Sequence, residues 1–262
     1  MKVGLYIGTQ FAPGFDVTPA LKEISGQVRR ARQCGFKSLW APHHYLTQPV
    51  QMLARVPLLA YLLRDAEGMT IGPNILIMPL LNPVHVAEDA ATLDLLSGGR
   101  YVLGVGAGYR DAEFQSFHVP LRERVQRLTE SIEIMRGLWS KERITYAGRI
   151  FRIEDLGIGL RPLRPGGPPI WMAGIVDAAV RRAARLGDAW LITNFAHLST
   201  LVMQMRIYRE TLTAVGKPQP PGANIGIADP PAASHRRQRA GRTGWASRNP
   251  GRPGFKPLPE TR

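Results

Sequence analysis

Short apolar runs alternate with amphipathic stretches six times between residues 2 and 215, and this alternation constrains the fold more than any other feature of the chain. Residues 2–9 form a strand pattern, and 18–34 a helix with Leu21, Ile24, Val28 and Ala31 on one stripe, stopped by Gly35. Residues 38–41 give a second strand ending in Pro42, His43 and His44, followed by an apolar helix around 56–64. A third strand over 69–78 precedes a helix over 83–96, and a fourth over 101–105 precedes a long helix over 121–140. Two more pairs, 169–173 with 177–186 and 189–193 with 199–215, bring the count to six βα units, while 145–153 has the pattern of a small inserted hairpin. Repeated βα units impose a parallel sheet with right-handed crossovers, either doubly wound or closed as an eight-unit barrel.

Both architectures collect function at the carboxyl ends of the strands. There the chain places His43 and His44, Asn74 to Pro79, Gly104 to Arg110, Gly174, and Thr193 with Asn194, which would converge on one pocket. In the fourth strand, Gly104, Gly106 and Gly108 strip side chains from the carboxyl end. Bare backbone lets a flat ligand lie against the chain, with Tyr109, Arg110 and Asp111 at its rim; the alternative is that the glycines make room for a neighbouring strand. The spacing is GxGxG and the next helix signal begins near Leu121, so the stretch does not fit a dinucleotide fingerprint. No nucleophile, triad or metal-ligand set accompanies it. His44 is the first candidate for an acid or base, since imidazole titrates near neutrality; a histidine that only caps the strand by hydrogen bonds is the alternative. His43 is expected to pack or to bond to backbone, and His85 to lie on the surface.

Composition narrows the partners. A hydrophobic content of 44% over 262 residues allows a substantial core, and Cys34 as the single cysteine excludes an internal disulfide. No apolar run reaches the roughly 18 residues of a membrane span, and the first residues lack a signal-peptide pattern, so the expected location is the cytoplasm. The net charge of +14 is concentrated at the end: residues 226–262 hold eight Lys or Arg against two Asp or Glu. Without interleaved aromatics or a reading motif this does not indicate a nucleic-acid partner.

Several segments stand in a recognisable order: Cys34-Gly-Phe-Lys-Ser-Leu-Trp40 followed by His43-His44, Pro79 with Asn82-Pro83, Ala87-Glu88-Asp89, Leu96-Ser-Gly-Gly-Arg-Tyr101, Leu103-Gly-Val-Gly-Ala-Gly-Tyr109, Arg124, and Pro168-Pro-Ile-Trp-Met-Ala-Gly174. Over roughly residues 1–220 the chain resembles the bacterial-luciferase-like flavin-dependent oxidoreductases. The resemblance implies a TIM (β/α)8-type barrel, here incomplete, with a cofactor at the strand carboxyl ends that is either reduced FMN or the deazaflavin F420. FMN members use oxygen to oxygenate a small organic substrate, often with a separate flavin reductase; F420 members transfer hydride. The FMN-dependent monooxygenase is the leading expectation, F420-dependent hydride transfer the alternative, and a non-catalytic barrel fragment the rival from another class.

Residue by residue, the resemblance assigns His44 to catalysis and Asn74, Ile75, Gly106, Gly108, Tyr109, Arg124 and Gly174 to the cofactor. A non-prolyl cis peptide is expected between Asn74 and Ile75, beneath the flavin ring. Arg124 matches a phosphate contact, the alternative being a solvated arginine beside Arg122 and Arg127. Two departures stand out: Ala107 replaces an arginine of some members, and Gly174-Ile175-Val176-Asp177 replaces hydroxyl side chains. Tyr6, Ile75, Leu76 and Tyr109 are expected to line an apolar substrate site, and residues 56–63 to form a homodimer surface. The barrel domain is expected over 1–225, followed by a basic, Pro-, Gly- and Arg-rich tail over 226–262 that has neither strand nor helix period, is expected to be disordered and leaves strands one and six with open edges. A shifted reading frame and a natural basic tail both account for its composition.

Overall fold

The structure, a computed structural model, describes residues 2–192 and 196–219 and the backbone of Ile227 and Ala228. The chain divides into units of residues 1–229 and 230–262; the second lies outside the described residues, as do Thr193, Asn194 and the rest of the expected tail. In order the elements are β1 (Gly4–Tyr6), β2 (Gln10–Phe11), α1 (Val17–Gln33), β3 (Ser38–Ala41), β4 (Gln51–Met52), α2 (Arg55–Leu62), β5 (Thr70–Pro73), β6 (Leu76–Ile77), α3 (Pro83–Leu96), β7 (Leu103–Gly106), α4 (Asp111–Ser116), α5 (Arg124–Ser140), β8 (Ile144–Ala147), β9 (Arg152–Leu156), β10 (Ile170–Ala173), α6 (Asp177–Leu186), β11 (Ala189–Leu191), α7 (Leu198–Ala214) and β12 (Ile227–Ala228).

Two four-stranded parallel sheets form the wall, in the orders β12-β1-β3-β5 and β11-β10-β7-β6. Leu5 pairs with Leu39 and Leu39 with Ile71 in the first; Met172 pairs with Val105 and Trp171 with Ala189 in the second. They meet at a parallel bridge between Ile71 and Tyr101, where the Val102 N–H donates to the Ile71 carbonyl at 2.9 Å. The third strand, expected as one run over 69–78, is split: β5 belongs to the ladder of β3 and β6 to the ladder of β7. The peptide between Asn74 and Ile75, at the split, is cis, as the resemblance implied. The order is that of a barrel wall, with β11 and β12 as its two ends among the described residues. One expectation is corrected here: the edge of β1 is not open, because β12 pairs with it, Gly4 opposite Ile227.

Helices cover the wall because their apolar stripes face it. Ile24 and Val28 of α1, Ala87, Ala90 and Ala91 of α3, and Ile132, Met135 and Leu138 of α5 are all buried. The Asn82 side chain caps the Val84 N–H at 2.9 Å, and Pro83 occupies the first turn of α3, where its missing N–H costs nothing. In α2, Leu58, Leu59 and Leu62 face the core, leaving Pro57, Ala60 and Tyr61 outward. Three residues of the stretch 56–63, expected as a homodimer surface, thus belong to the core. The β8–β9 hairpin is pinned by buried Glu130, which accepts the N–H groups of Arg149, Ile150 and Phe151. No helix among the described residues is long and apolar enough to cross a membrane.

Candidate functional site

The carboxyl end of β3 delivers two adjacent imidazoles into different surroundings. His44 Nδ1 lies 3.0 Å from Glu113 Oε1, and the same oxygen accepts the Tyr45 N–H at 2.8 Å. Arg110 reaches that oxygen at 3.4 Å and also donates to the Tyr45 carbonyl at 3.1 Å. The Glu113 side chain is 0% exposed and that of His44 29% exposed. A buried carboxylate persists as an anion only when donors replace its water, and here ring, backbone and guanidinium do so at one oxygen. Oε2 is buried without a partner among the described residues. An ionised carboxylate only accepts, so the His44 proton sits on Nδ1, and Nε2 is the lone-pair end of the neutral ring.

Glu113 was not legible in the sequence. It stands on α4, a six-residue helix that opens directly after the glycine loop, whereas the sequence offered no helix signal before Leu121. A helix of that length is too short for a repeating stripe, and its buried residues are only Glu113 and Phe114.

His43 turns the other way and packs, as expected: it is buried, stands edge-on to the Tyr45 ring with centroids 4.5 Å apart, and its Nδ1 lies 2.5 Å from Arg55 Nη1. Arg55, the first residue of α2, is 4% exposed, donates through Nη2 to the Tyr45 hydroxyl at 3.2 Å and lies over the Tyr45 ring at 5.5 Å. No carboxylate pairs with it among the described residues, and its Nε has no partner there. Burial, then the Arg55 charge, then His44, lower His43 from the ordinary 6.5 to about 4.

Neighbouring chain fills the space where side chains at Gly104, Gly106 and Gly108 would stand. A methyl group on Gly104 would collide with the Pro73 carbonyl, and one on Gly106 with the Ile75 side chain. At Gly108, with φ +71°, it would meet Ile77 and Phe114. Ile75 is thus seated on Gly106, and Asn74 precedes it across the cis bond. Tyr109 is 70% exposed and stands edge-on to His44 with ring centroids 5.9 Å apart. Leu76, expected in a substrate lining, is instead buried in the core, while Tyr6 and Ile75 are half-buried. Gly174 lets the first turn of α6 fold close behind β10, since a methyl group there would press on the Ala179 backbone at 2.9 Å. Its carbonyl accepts the Trp190 indole N–H at 2.9 Å.

Arg124 opens α5 half-buried, with one long 3.4 Å bond to the Leu121 carbonyl. Arg127, by contrast, is paired with Glu123 at 3.0 Å. Arg182 on α6, also half-buried, has its ionisation lowered by burial and by the charge of Arg124. Neither Arg124 nor Arg182 has a carboxylate partner among the described residues, so their donor set fits a phosphate group. A groove of about 470 Å³ beside α4, lined by Asp111, Phe114, His118 and Leu121 among others, contains none of these groups. No cluster of three or more metal-ligating side chains occurs among the described residues.

Residues 1–247 match the sequence profile described as luciferase-like monooxygenase. A curated relative, the F420-dependent glucose-6-phosphate dehydrogenase of Kineococcus radiotolerans, is 28% identical over 211 residues, covering 78% of this chain and 57% of the relative. Among solved structures, a monooxygenase from Streptomyces bottropensis superposes with a TM-score of 0.75 at 22% identity, covering 84% of this chain and 68% of that one. The oxygenating constituent of 3,6-diketocamphane monooxygenase from Pseudomonas putida, in complex with FMN, gives 0.69 at 20% identity, covering 84% and 64%. The chain spans between half and three-fifths of the length of the first curated relatives it matches.

Proposed function

The chain belongs to the luciferase-like monooxygenase family, and from that premise we propose that it is an oxidoreductase working with a flavin-type cofactor at the strand carboxyl ends, in which His44 exchanges the proton and Glu113 orients it. The observation that carries this reading is the 3.0 Å contact between His44 Nδ1 and buried Glu113 Oε1, which leaves Nε2 as the basic end of the ring. Bound F420 would supply a hydride acceptor, and bound reduced FMN a two-electron reductant for oxygen. Arg124 and Arg182 would hold the cofactor phosphate, and Ile75 seated on Gly106, with Tyr109 at the rim, would support its ring. For an alcohol oxidised to a carbonyl, His44 Nε2 takes the hydroxyl proton while Glu113 stabilises the imidazolium that results.

F420-dependent hydride transfer is the first reading, supported by the F420-dependent dehydrogenases among the curated relatives. The reduced-FMN monooxygenase, fed by a separate flavin reductase and acting on a small organic substrate, is the second, supported by the structural neighbour that holds FMN. Titration of the purified chain with F420, FMN and reduced FMN, followed by fluorescence, separates them. Saturable binding of F420 with reduction of the deazaflavin by an alcohol supports the first, and oxygen uptake with reduced FMN the second. Binding of neither overturns both and supports a non-catalytic barrel fragment.

A further inference from the structure

Arg55 has no acid partner among the described residues, yet it is one of the most deeply buried cations there. Its nearest polar contact is an imidazole, the 2.5 Å approach to His43 Nδ1. A guanidinium has five N–H donors, no acceptor, and stays charged throughout the accessible pH range, so the atom facing it must offer a lone pair. A proton on His43 Nδ1 would set two donors head to head and add a second positive charge beside a buried one. His44, one residue on, meets the opposite requirement, because Glu113 only accepts.

We propose that Arg55 is a positioning residue that fixes His43 as a neutral ring with its proton on Nε2, so that the two adjacent histidines hold opposite tautomers and His44 alone exchanges a proton. The groups around the pair agree with this assignment. From α2 comes Arg55; from the loop itself, His44 and the Tyr45 hydroxyl; from the α4 side, Glu113 and Arg110, both bonded around His44 and Tyr45. Tyr101, buried behind them, feels the Arg55 charge and that of Asp89 on α3. Among the described residues, none of the carboxylates bonds to His43. The direction of the His43 shift, set first by burial and then by Arg55, points the same way. The consequence at the strand ends is an Nε2 donor on His43 beside an Nε2 acceptor on His44.

The inference rests on the proposed function only for the use made of the His44 proton; the tautomers themselves are measurable without cofactor or turnover. The full chain labelled with ¹⁵N-histidine would be examined by long-range proton–nitrogen correlation between about pH 5.5 and 8.5, with His43→Gln and His44→Gln assigning the two rings among six histidines. His43 is expected to show an unprotonated Nδ1 and a protonated Nε2 across the whole range, and His44 the reverse at its neutral end. Arg55→Gln keeps a donor but removes the charge, so the His43 tautomer should persist while its midpoint rises by about one pH unit or more. Arg55→Met should release both. A His43 midpoint near 6.5 in the unaltered chain, or a proton on its Nδ1, overturns the proposal. The spectrum of the unaltered chain decides even where the Arg55 variants do not fold, and failure to bind F420 or FMN would overturn the proposed function while leaving this result standing.

Discussion

Glu113 Oε1 accepts from His44 Nδ1 at 3.0 Å and from the Tyr45 N–H at 2.8 Å, so one oxygen of α4 holds both the ring and the backbone of the loop after β3. The ring of His44 and the backbone of Tyr45 are thereby held by a single atom, while the His44 N–H donates to Met52 Sδ at 3.2 Å.

Glu113→Gln should uncouple the two. The amide can still meet the Tyr45 N–H, but it loses the charge that favours a proton on His44 Nδ1. Turnover with the bound cofactor is expected to fall about 10- to 100-fold, with cofactor affinity nearly unchanged. A parallel loss in both would make Glu113 a structural support only.

His44→Ala removes the proton acceptor itself. The expected loss in kcat is about 10²- to 10⁴-fold, again with little change in cofactor Kd. Equal losses in kcat and affinity, measured by steady-state kinetics and fluorescence titration, would mark His44 as a strand cap.

Gly104→Ala should be far more damaging than Gly8→Ala. The added methyl group at Gly104 meets the Pro73 carbonyl, a backbone atom that cannot swing aside, whereas at Gly8 nothing lies within 4 Å. Overpacking of this kind costs about 3 kcal/mol or prevents folding, and the Gly8 variant should stay within about 1 kcal/mol of the unaltered chain in urea unfolding.

Asp94→Ala tests the opposite end of the wall. Asp94 is wholly buried and accepts the Arg164 backbone N–H at 3.0 Å, Nε at 2.9 Å and Nη2 at 2.7 Å. Removing the carboxylate leaves a half-buried guanidinium unpaired, a loss of roughly 3 kcal/mol in chemical denaturation. The site lies elsewhere, so cofactor binding by the folded fraction should be unaffected.

Stability should fall on acidification in two steps. His43, lowered in the folded state to about 4 from 6.5, binds its proton more readily when unfolded, so its share of the stability is present above about 6.5 and lost as pH falls toward 4. Burial alone would raise the Glu130 carboxyl, but the Gln126 side chain and the Phe151, Ile150 and Arg149 N–H groups outweigh it and hold it below the ordinary 4.5. Its contribution is present above 4.5 and lost as pH falls through the lower folded value. Glu130→Gln should diminish the second step and spare the first, as followed by thermal melts across pH.

The outline of the barrel wall was legible because its signals repeat. The spans of β3, α3 and α6 coincide with the sequence patterns, and His44 was singled out by its place after a strand. What stayed hidden depends on single long-range contacts. Arg55, 11 positions after His44, falls just ahead of the apolar run over 56–64, and Glu113 lies in a helix too short to show a period. The glycines stand out in the sequence, but the packing of Ile75 against Gly106 depends on the path of a strand some 30 residues earlier.

One feature of the packing has a kinetic meaning. Ile77, Leu80 and Phe114 form a small hydrophobic cluster of their own, flanked by Tyr45, Ile75, Phe117, Val119 and Leu121, apart from the large core behind the sheets. The loop of His44, Ile75 and the helix of Glu113 are therefore anchored to one another through this cluster, and to the wall through β6. A cluster this small can open without global unfolding. Amide hydrogens of α4 should exchange with deuterium at a much lower opening free energy than those of β7, and they should slow together when a ligand occupies the strand ends. The proton-handling groups would then loosen and set as one cooperative unit, on a clock separate from that of the sheet beneath them.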